Sequence, residues 1–261
     1  MEPGVTAGLG KGFQVSFHLP LDLKNSRIDY SLEDGTPYTP PYGNFHHRNE
    51  TLFGPGDARL MARWTRGIPA SPVLLGFGLG AALPTGKTEE DPFAAASREE
   101  NHQHLQFGGG TVDPLASFTL IVRGPSVGLL TSANARFPVY VNKKGYRGPI
   151  LINATAGPTL RLPDPLRSVQ LSLLGNFEWS SAESWGGVPG ENSGMLAASM
   201  RMGLTWNVQP KLALQANLQT RVYERSLGAQ FTRPVTLTLG VSGFLDLRKL
   251  GKGPEAPQHE H

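Results

Sequence analysis

The 261 residues contain no cysteine, which excludes disulfides and thiolate-bound metals. No apolar run approaches the roughly 18 residues that a membrane-crossing helix needs. Charge of one sign is also scarce: 24 Lys and Arg stand against 21 Asp and Glu, and no basic run is interleaved with aromatics, so nothing points to nucleic acid. Met1-Glu-Pro-Gly carries neither the basic nor the apolar segment of a secretion leader. What is plentiful is glycine (32) and proline (22), placed at turns and at alternate positions of extended segments. Only the stretch 248–261, ending Glu255-Ala-Pro-Gln-His-Glu-His261, has the composition of a disordered tail.

Between residues 51 and 247 one pattern recurs, in which ten to fourteen residues alternate apolar with polar or small and then meet a turn. Leu196, Ala198, Met200, Met202, Leu204, Trp206 and Val208 fall on one face, and Ala197, Ser199, Arg201, Gly203, Thr205 and Asn207 on the other. Such strands exceed the five or six residues usual in globular sheets and match the roughly 9–11 that cross a bilayer at a tilt. The expected fold is all-β, a transmembrane antiparallel up-and-down barrel over 1–247, followed by a disordered periplasmic tail over 248–261.

Strands are expected at 4–10, 13–20, 57–66, 73–83, 105–122 with a glycine bulge, 127–138, 149–162, 168–180, 193–208, 211–223 and 231–247. Short connections alternate with long ones (21–56, 84–104, 139–148, 181–192 and 224–230), as periplasmic turns alternate with extracellular loops. An up-and-down barrel with both ends on the periplasmic side needs an even number of strands. About eleven therefore imply a twelfth, expected upstream of Met1 together with a signal peptide. Phe13, Trp64 and Trp206 near the periplasmic ends, and Phe137, Phe177 and Trp179 near the extracellular ends, would form interfacial girdles.

Several motifs are set aside. Gly80-Ala-Ala-Leu-Pro-Thr-Gly-Lys-Thr88 has Ala81 where a phosphate-binding loop needs its first glycine, and an acidic, proline-broken stretch follows in place of a helix. His46, His47, His102 and His104 are candidate metal ligands, but adjacent His46 and His47 diverge on any extended segment, and solvated loop histidines are the simpler reading. No nucleophile elbow is present and the strands carry almost no histidine, so enzymatic activity is not expected. No cofactor is expected either.

The same alternation turns Arg59, Arg63, Arg136, Arg161, Arg201 and Arg221 inward, with Glu178 as the one strand acid beside them. An arginine facing lipid at mid-strand costs about 2–4 kcal/mol, which fixes that direction. These side chains line either a basic pore favouring anions or a closed interior in which they bond to Gln and Asn of neighbouring strands. Gly76, Gly78 and Gly80 share that inward face, leaving room for a loop or solute or relieving curvature.

Gly54-Pro-Gly-Asp-Ala-Arg-Leu-Met-Ala-Arg63, Gly78-Leu-Gly-Ala-Ala-Leu-Pro-Thr-Gly-Lys87 and Leu105-Gln-Phe-Gly-Gly-Gly-Thr-Val-Asp-Pro114 together resemble the blocks of the meta-pathway phenol-degradation family of bacterial outer-membrane barrels. The resemblance extends over about residues 4–247; the leader, the first strand and the ending after Leu247 depart from it. It implies a porin-like channel or transporter for small solutes, anionic or aromatic, in the outer membrane of a Gram-negative bacterium. Implied partners are the lipid bilayer, the solute and the barrel assembly machinery. The alternatives are a non-conducting barrel whose loops bind a partner or metal, and a soluble β-barrel around a ligand, which would need a polar outer surface.

Overall fold

A computed structural model describes residues 1–39, 49–98, 105–228 and 233–245. Its elements in chain order are β1 (Gly4–Gly10), β2 (Phe13–His18), β3 (Leu21–Ser26), β4 (Glu50–Pro55), β5 (Ala58–Gly67), β6 (Val73–Leu83), α1 (Pro92–Ser97), β7 (Asp113–Val122), β8 (Val127–Arg136), β9 (Tyr146–Arg147), β10 (Leu151–Arg161), β11 (Val169–Ser180), β12 (Ser184–Trp185), β13 (Val188–Pro189), β14 (Met195–Gln209), β15 (Leu212–Ser226) and β16 (Val235–Gly243). Eleven of them form one antiparallel sheet in the order β1-β2-β5-β6-β7-β8-β10-β11-β14-β15-β16, so each strand pairs with the next one in the wall. No register joins β1 to β16 among the described residues, and the sheet is open there. No described helix is long and apolar enough to cross a membrane.

The period of two holds across the sheet. Paired residues share a face, and the face carrying Gln14, Ser117, Asn134, Asn153, Asn176 and Asn217 is polar. The opposite face exposes Phe17, Phe77, Leu79, Leu129, Leu173, Met202, Leu218 and Leu239. Burial is inverted relative to a soluble protein, since the largest fully buried side chains are Thr111, Asp113 and Ser199. The chain spends its apolar residues on its outside.

Register also shows the tilt. One hydrogen-bonded row runs Phe13, Trp64, Phe77, Phe118, Ala133, Ala154, Phe177, Ala198, Tyr223. It starts at the first residue of β2, beside a short turn, and ends near the far end of β15. The strands are therefore inclined to the axis about which the sheet curls, as barrel geometry requires. At the turn between β1 and β2, Lys11 and Gly12 have φ of 49° and 83°, the central pair of a tight hairpin whose twist suits the flanking strands, and Gly10 before them has φ of 88°.

Four expectations need correction. Residues 105–112 are not strand: β7 begins at Asp113, because Phe107–Gly110 turn away to meet the loop after β6. The stretch 21–56 is not simply a loop; β3 and β4 pair as a second hairpin above β2 and β5. The loops 139–148 and 181–192 carry the small sheet β13-β12-β9, fastened where Tyr146 packs on Trp185 with ring centroids 4.7 Å apart. Finally β15 continues to Ser226, past the expected end at 223. The tail 248–261 lies outside the described residues.

Candidate functional site

At the long-loop end of the polar face, the ends of three strands meet. Asp57 precedes β5, Asp113 opens β7 and Arg136 closes β8. Arg136 Nη2 lies 2.7 Å from Asp57 Oδ2, and its Nε donates to Asp113 Oδ2 at 2.6 Å. The two carboxylates are almost wholly buried, at 3% and 0% side-chain exposure. Their remaining lone pairs are also engaged: Thr111 Oγ1 donates to Asp113 Oδ1 at 2.6 Å, and the backbone amides of Gly86 and Gly109 donate to Asp57 at 3.2 and 2.8 Å. A buried charge cluster persists only when satisfied to this degree.

Glycine is what allows the two loops to meet there. A Cβ on Gly86 would lie 2.6 Å from the Gly108 nitrogen and 2.7 Å from its Cα, so the two main chains pass with no room for a side chain. Asn142 Nδ2 donates to the Gly109 carbonyl at 3.0 Å, and Lys144 Nζ donates to the Thr88 carbonyl at 3.0 Å, tying the next loop to the same knot. From the β3–β4 hairpin, Lys24 Nζ donates to the Gln106 carbonyl and lies 4.6 Å above the Phe107 ring. Burial holds this ammonium below the ordinary lysine range, Asp22 opposing the shift and Arg233 adding to it. Beyond the knot, the Tyr146 hydroxyl donates to Glu183 at 2.9 Å; burial first, then Glu183, pushes that phenol up from its usual range.

The six expected arginines divide into local sets rather than one ring. Arg59 pairs with Glu2, which also lies 3.3 Å from His18. Arg201 donates to Thr155 Oγ1 at 3.1 Å and to Asn176 Oδ1 at 2.8 Å. Arg221 donates to Glu178 at 2.7 Å, where Gln219 also donates at 3.2 Å. Arg136 belongs to the knot. Arg161 sits exposed at the end of β10, opposite Gln170. Arg63, opposite Gly78, has a buried Nε without a partner among the described residues.

Glu178 is not the only inward strand acid. Asp113 is in β7, and Glu224 joins the polar face because Ser199 pairs with Arg221 while Ala198 pairs with Tyr223, leaving Val222 as an extra residue. This bulge turns Arg221 and Glu224, three apart, to one side, where they lie 3.4 Å from each other. Gly76, Gly78 and Gly80 leave no open recess: a Cβ on Gly78 would come within 2.9 Å of Arg63 Cγ, and one on Gly80 within 2.5 Å of Met61 Sδ. Their space is taken by side chains and main chain of β5 and, beside Gly78, by Ser117 of β7.

On the apolar face, Phe13 and Trp64 lie 6.5 Å apart near the short turns and Trp206 stands near the same end of β14. Phe177 and Trp179 lie toward the other end of β11, and Phe137 follows β8. His46, His47, His102 and His104 lie outside the described residues, among which no group of three or more His, Asp or Glu could hold a metal ion. Asp57, Asp113, Glu224 and Asn142 are absent from the sequence-based candidates. The available signal was an isolated acid at each of two strand starts, directly after glycine-rich turns.

Below the knot the polar face bounds a cavity of about 790 Å³, lined by Arg59, Arg63, Arg136, Phe107 and Leu151 among others. A polar inner face, an apolar outer face and a fastened loop at one end are what a β-sheet curled through a bilayer requires. No protein-family model and no curated protein matches the chain. Its fold is similar to the crystal structure of an outer membrane channel from Pseudomonas putida F1, with a TM-score of 0.62 and 14% sequence identity over 93% of this chain and 82% of that one.

Proposed function

We propose that the chain is an outer-membrane β-barrel that passes small solutes with a preference for anions. The observation that carries this reading is the two-faced, inclined eleven-stranded wall, whose polar side bounds a cavity and whose apolar side carries exposed large hydrophobic side chains on ten of the eleven strands. The likeness to an outer membrane channel supports it. A soluble barrel would expose polar groups where Phe77, Leu79, Leu237 and Leu239 stand, and so has nothing in its favour. Closure between β1 and β16, directly or through a further strand, is part of the proposal, because unpaired edge amides and carbonyls are too costly in lipid. The resemblance of the three sequence blocks to the meta-pathway phenol-degradation family is part of this proposal, and the likeness in fold supports its coarser form, an outer membrane channel. The bilayer, the solute and the barrel assembly machinery are the partners this reading implies.

A second reading, a non-conducting barrel, draws on the bonding of Arg59, Arg136, Arg201 and Arg221 to neighbouring side chains. Arg63 and Arg161 are not bonded in this way among the described residues, which favours a wall with cations available to solutes. Recordings in planar bilayers under a potassium chloride gradient separate the two. The expected result is discrete conductance with a reversal potential displaced toward that of chloride; a silent folded barrel, or displacement toward potassium, contradicts the proposal.

A further inference from the structure

The cavity under the knot is amphipathic, and its charges are unevenly satisfied. Two of the acids on its wall are ion-paired, Glu2 with Arg59 and Asp57 with Arg136, and Asp22 is near enough to Lys24 to act on it electrostatically. Two wall arginines, Arg63 and Arg233, have no carboxylate partner among the described residues. Arg63 shares a buried, unpartnered Nε with Arg201 and Arg221, but their Nη atoms are held by neighbouring side chains, whereas those of Arg63 have no partner among the described residues. Its Nη edge on the cavity wall is the place for a missing acceptor. Its stem is held against Gly78, where any Cβ would come within 2.9 Å of Cγ, so the absence of a side chain on β6 seats this arginine.

The rest of the wall narrows the acceptor's chemistry. Met61, Phe107, Leu115 and Leu151 give the cavity an apolar side. A small hydrated anion would make no use of that surface, whereas a molecule with an apolar body and one carboxylate would use both. A guanidinium recognises a carboxylate with two parallel hydrogen bonds, and about 790 Å³ is within the range of roughly 300–1,000 Å³ that holds small organic ligands. From these features we infer that the cavity is a binding site for small amphipathic monocarboxylates, with Arg63 holding the carboxylate and Met61, Phe107, Leu115 and Leu151 the apolar body. This rests on the reading of the polar face as a solute path, and it names the solute class.

The test is calorimetric titration of the full chain, folded in detergent, with cyclohexanecarboxylate, its neutral carboxamide and acetate. Cyclohexanecarboxylate is expected to bind at least about tenfold more tightly than either of the others, the carboxamide lacking the charge and acetate the apolar body. Arg63→Gln is expected to lower that affinity by about tenfold or more, and Arg63→Lys to restore part of it. Equal affinities across the three compounds, no binding by the folded wild type, or an unchanged Arg63→Gln overturns the assignment. If Arg63→Gln fails to fold, the compound series on the wild type still decides. Recordings on the same preparation separate the two proposals: conductance without binding removes the site alone, and binding without conductance removes the channel alone.

Discussion

Replacing Arg136 with methionine is expected to destabilise the protein by about 3–5 kcal/mol, the usual cost of stranding a buried charge. Methionine keeps much of the apolar stem but removes the donors that reach Asp57 and Asp113, and both carboxylates are too buried to be rescued by water. Neither acid can leave easily. Asp113 is locked by Thr111 and by pairing with Ala82 in β6, and Asp57 holds the amides of Gly86 and Gly109. Urea unfolding in lipid vesicles, followed by tryptophan fluorescence, measures the loss. Adding Asp57→Asn and Asp113→Asn to the Arg136→Met chain should recover part of it, since the unpaired charges go with the arginine. A change within about 0.5 kcal/mol for the single variant, the range of an ordinary surface substitution, would show that the cluster fastens nothing. The same variant releases the strap from Phe107 to Thr111 and is expected to raise the conductance.

Gly86→Ala is expected to cost about 1–3 kcal/mol through overpacking. The atoms a Cβ would meet are the nitrogen and Cα of Gly108 and the carbonyl carbon of Phe107, all main chain, so no side chain can swing aside. Separating the two loops also lengthens the hydrogen bonds that Asp57 accepts from Gly86 and Gly109. Gly67→Ala is the control, since nothing lies within 4 Å of a Cβ there. In the same urea assay it should stay within about 0.5 kcal/mol of wild type. Equal behaviour of the two substitutions would mean that the close approach of the loops is not required.

These two positions also show where sequence reasoning succeeds and stops. Alternation gave the eleven strands of the wall and their faces, since period two follows from backbone geometry and lipid and lumen demand opposite polarity. The blocks around Asp57, Gly86 and Gly108 stood out as glycine-rich and distinctive, yet their convergence depends on contacts between residues 52 and 79 positions apart, which local pattern does not encode. Leu105–Val112 looked like the start of a strand because it alternates; the pull of Asp57 on the Gly109 amide overrides that preference. Glu224 was hidden for a different reason. The expected strand stopped at 223 and left it in a loop, and even in a longer strand the bulge at Val222, which shifts the phase of the alternation by one, would put it on the wrong face when counted in twos.

The central claim is that one face of this wall meets lipid and the other water. The chain has no cysteine of its own, so single cysteines can be introduced one at a time along β14, from Leu196 to Trp206, and spin-labelled in vesicles without a background signal. Collision with oxygen should peak at 198, 200, 202 and 204, and collision with a water-soluble nickel chelate at 201, 203 and 205, while 197 and 199, buried among their neighbours, should be shielded from the chelate. Equal exposure of both sets to the water-soluble reagent would contradict the account.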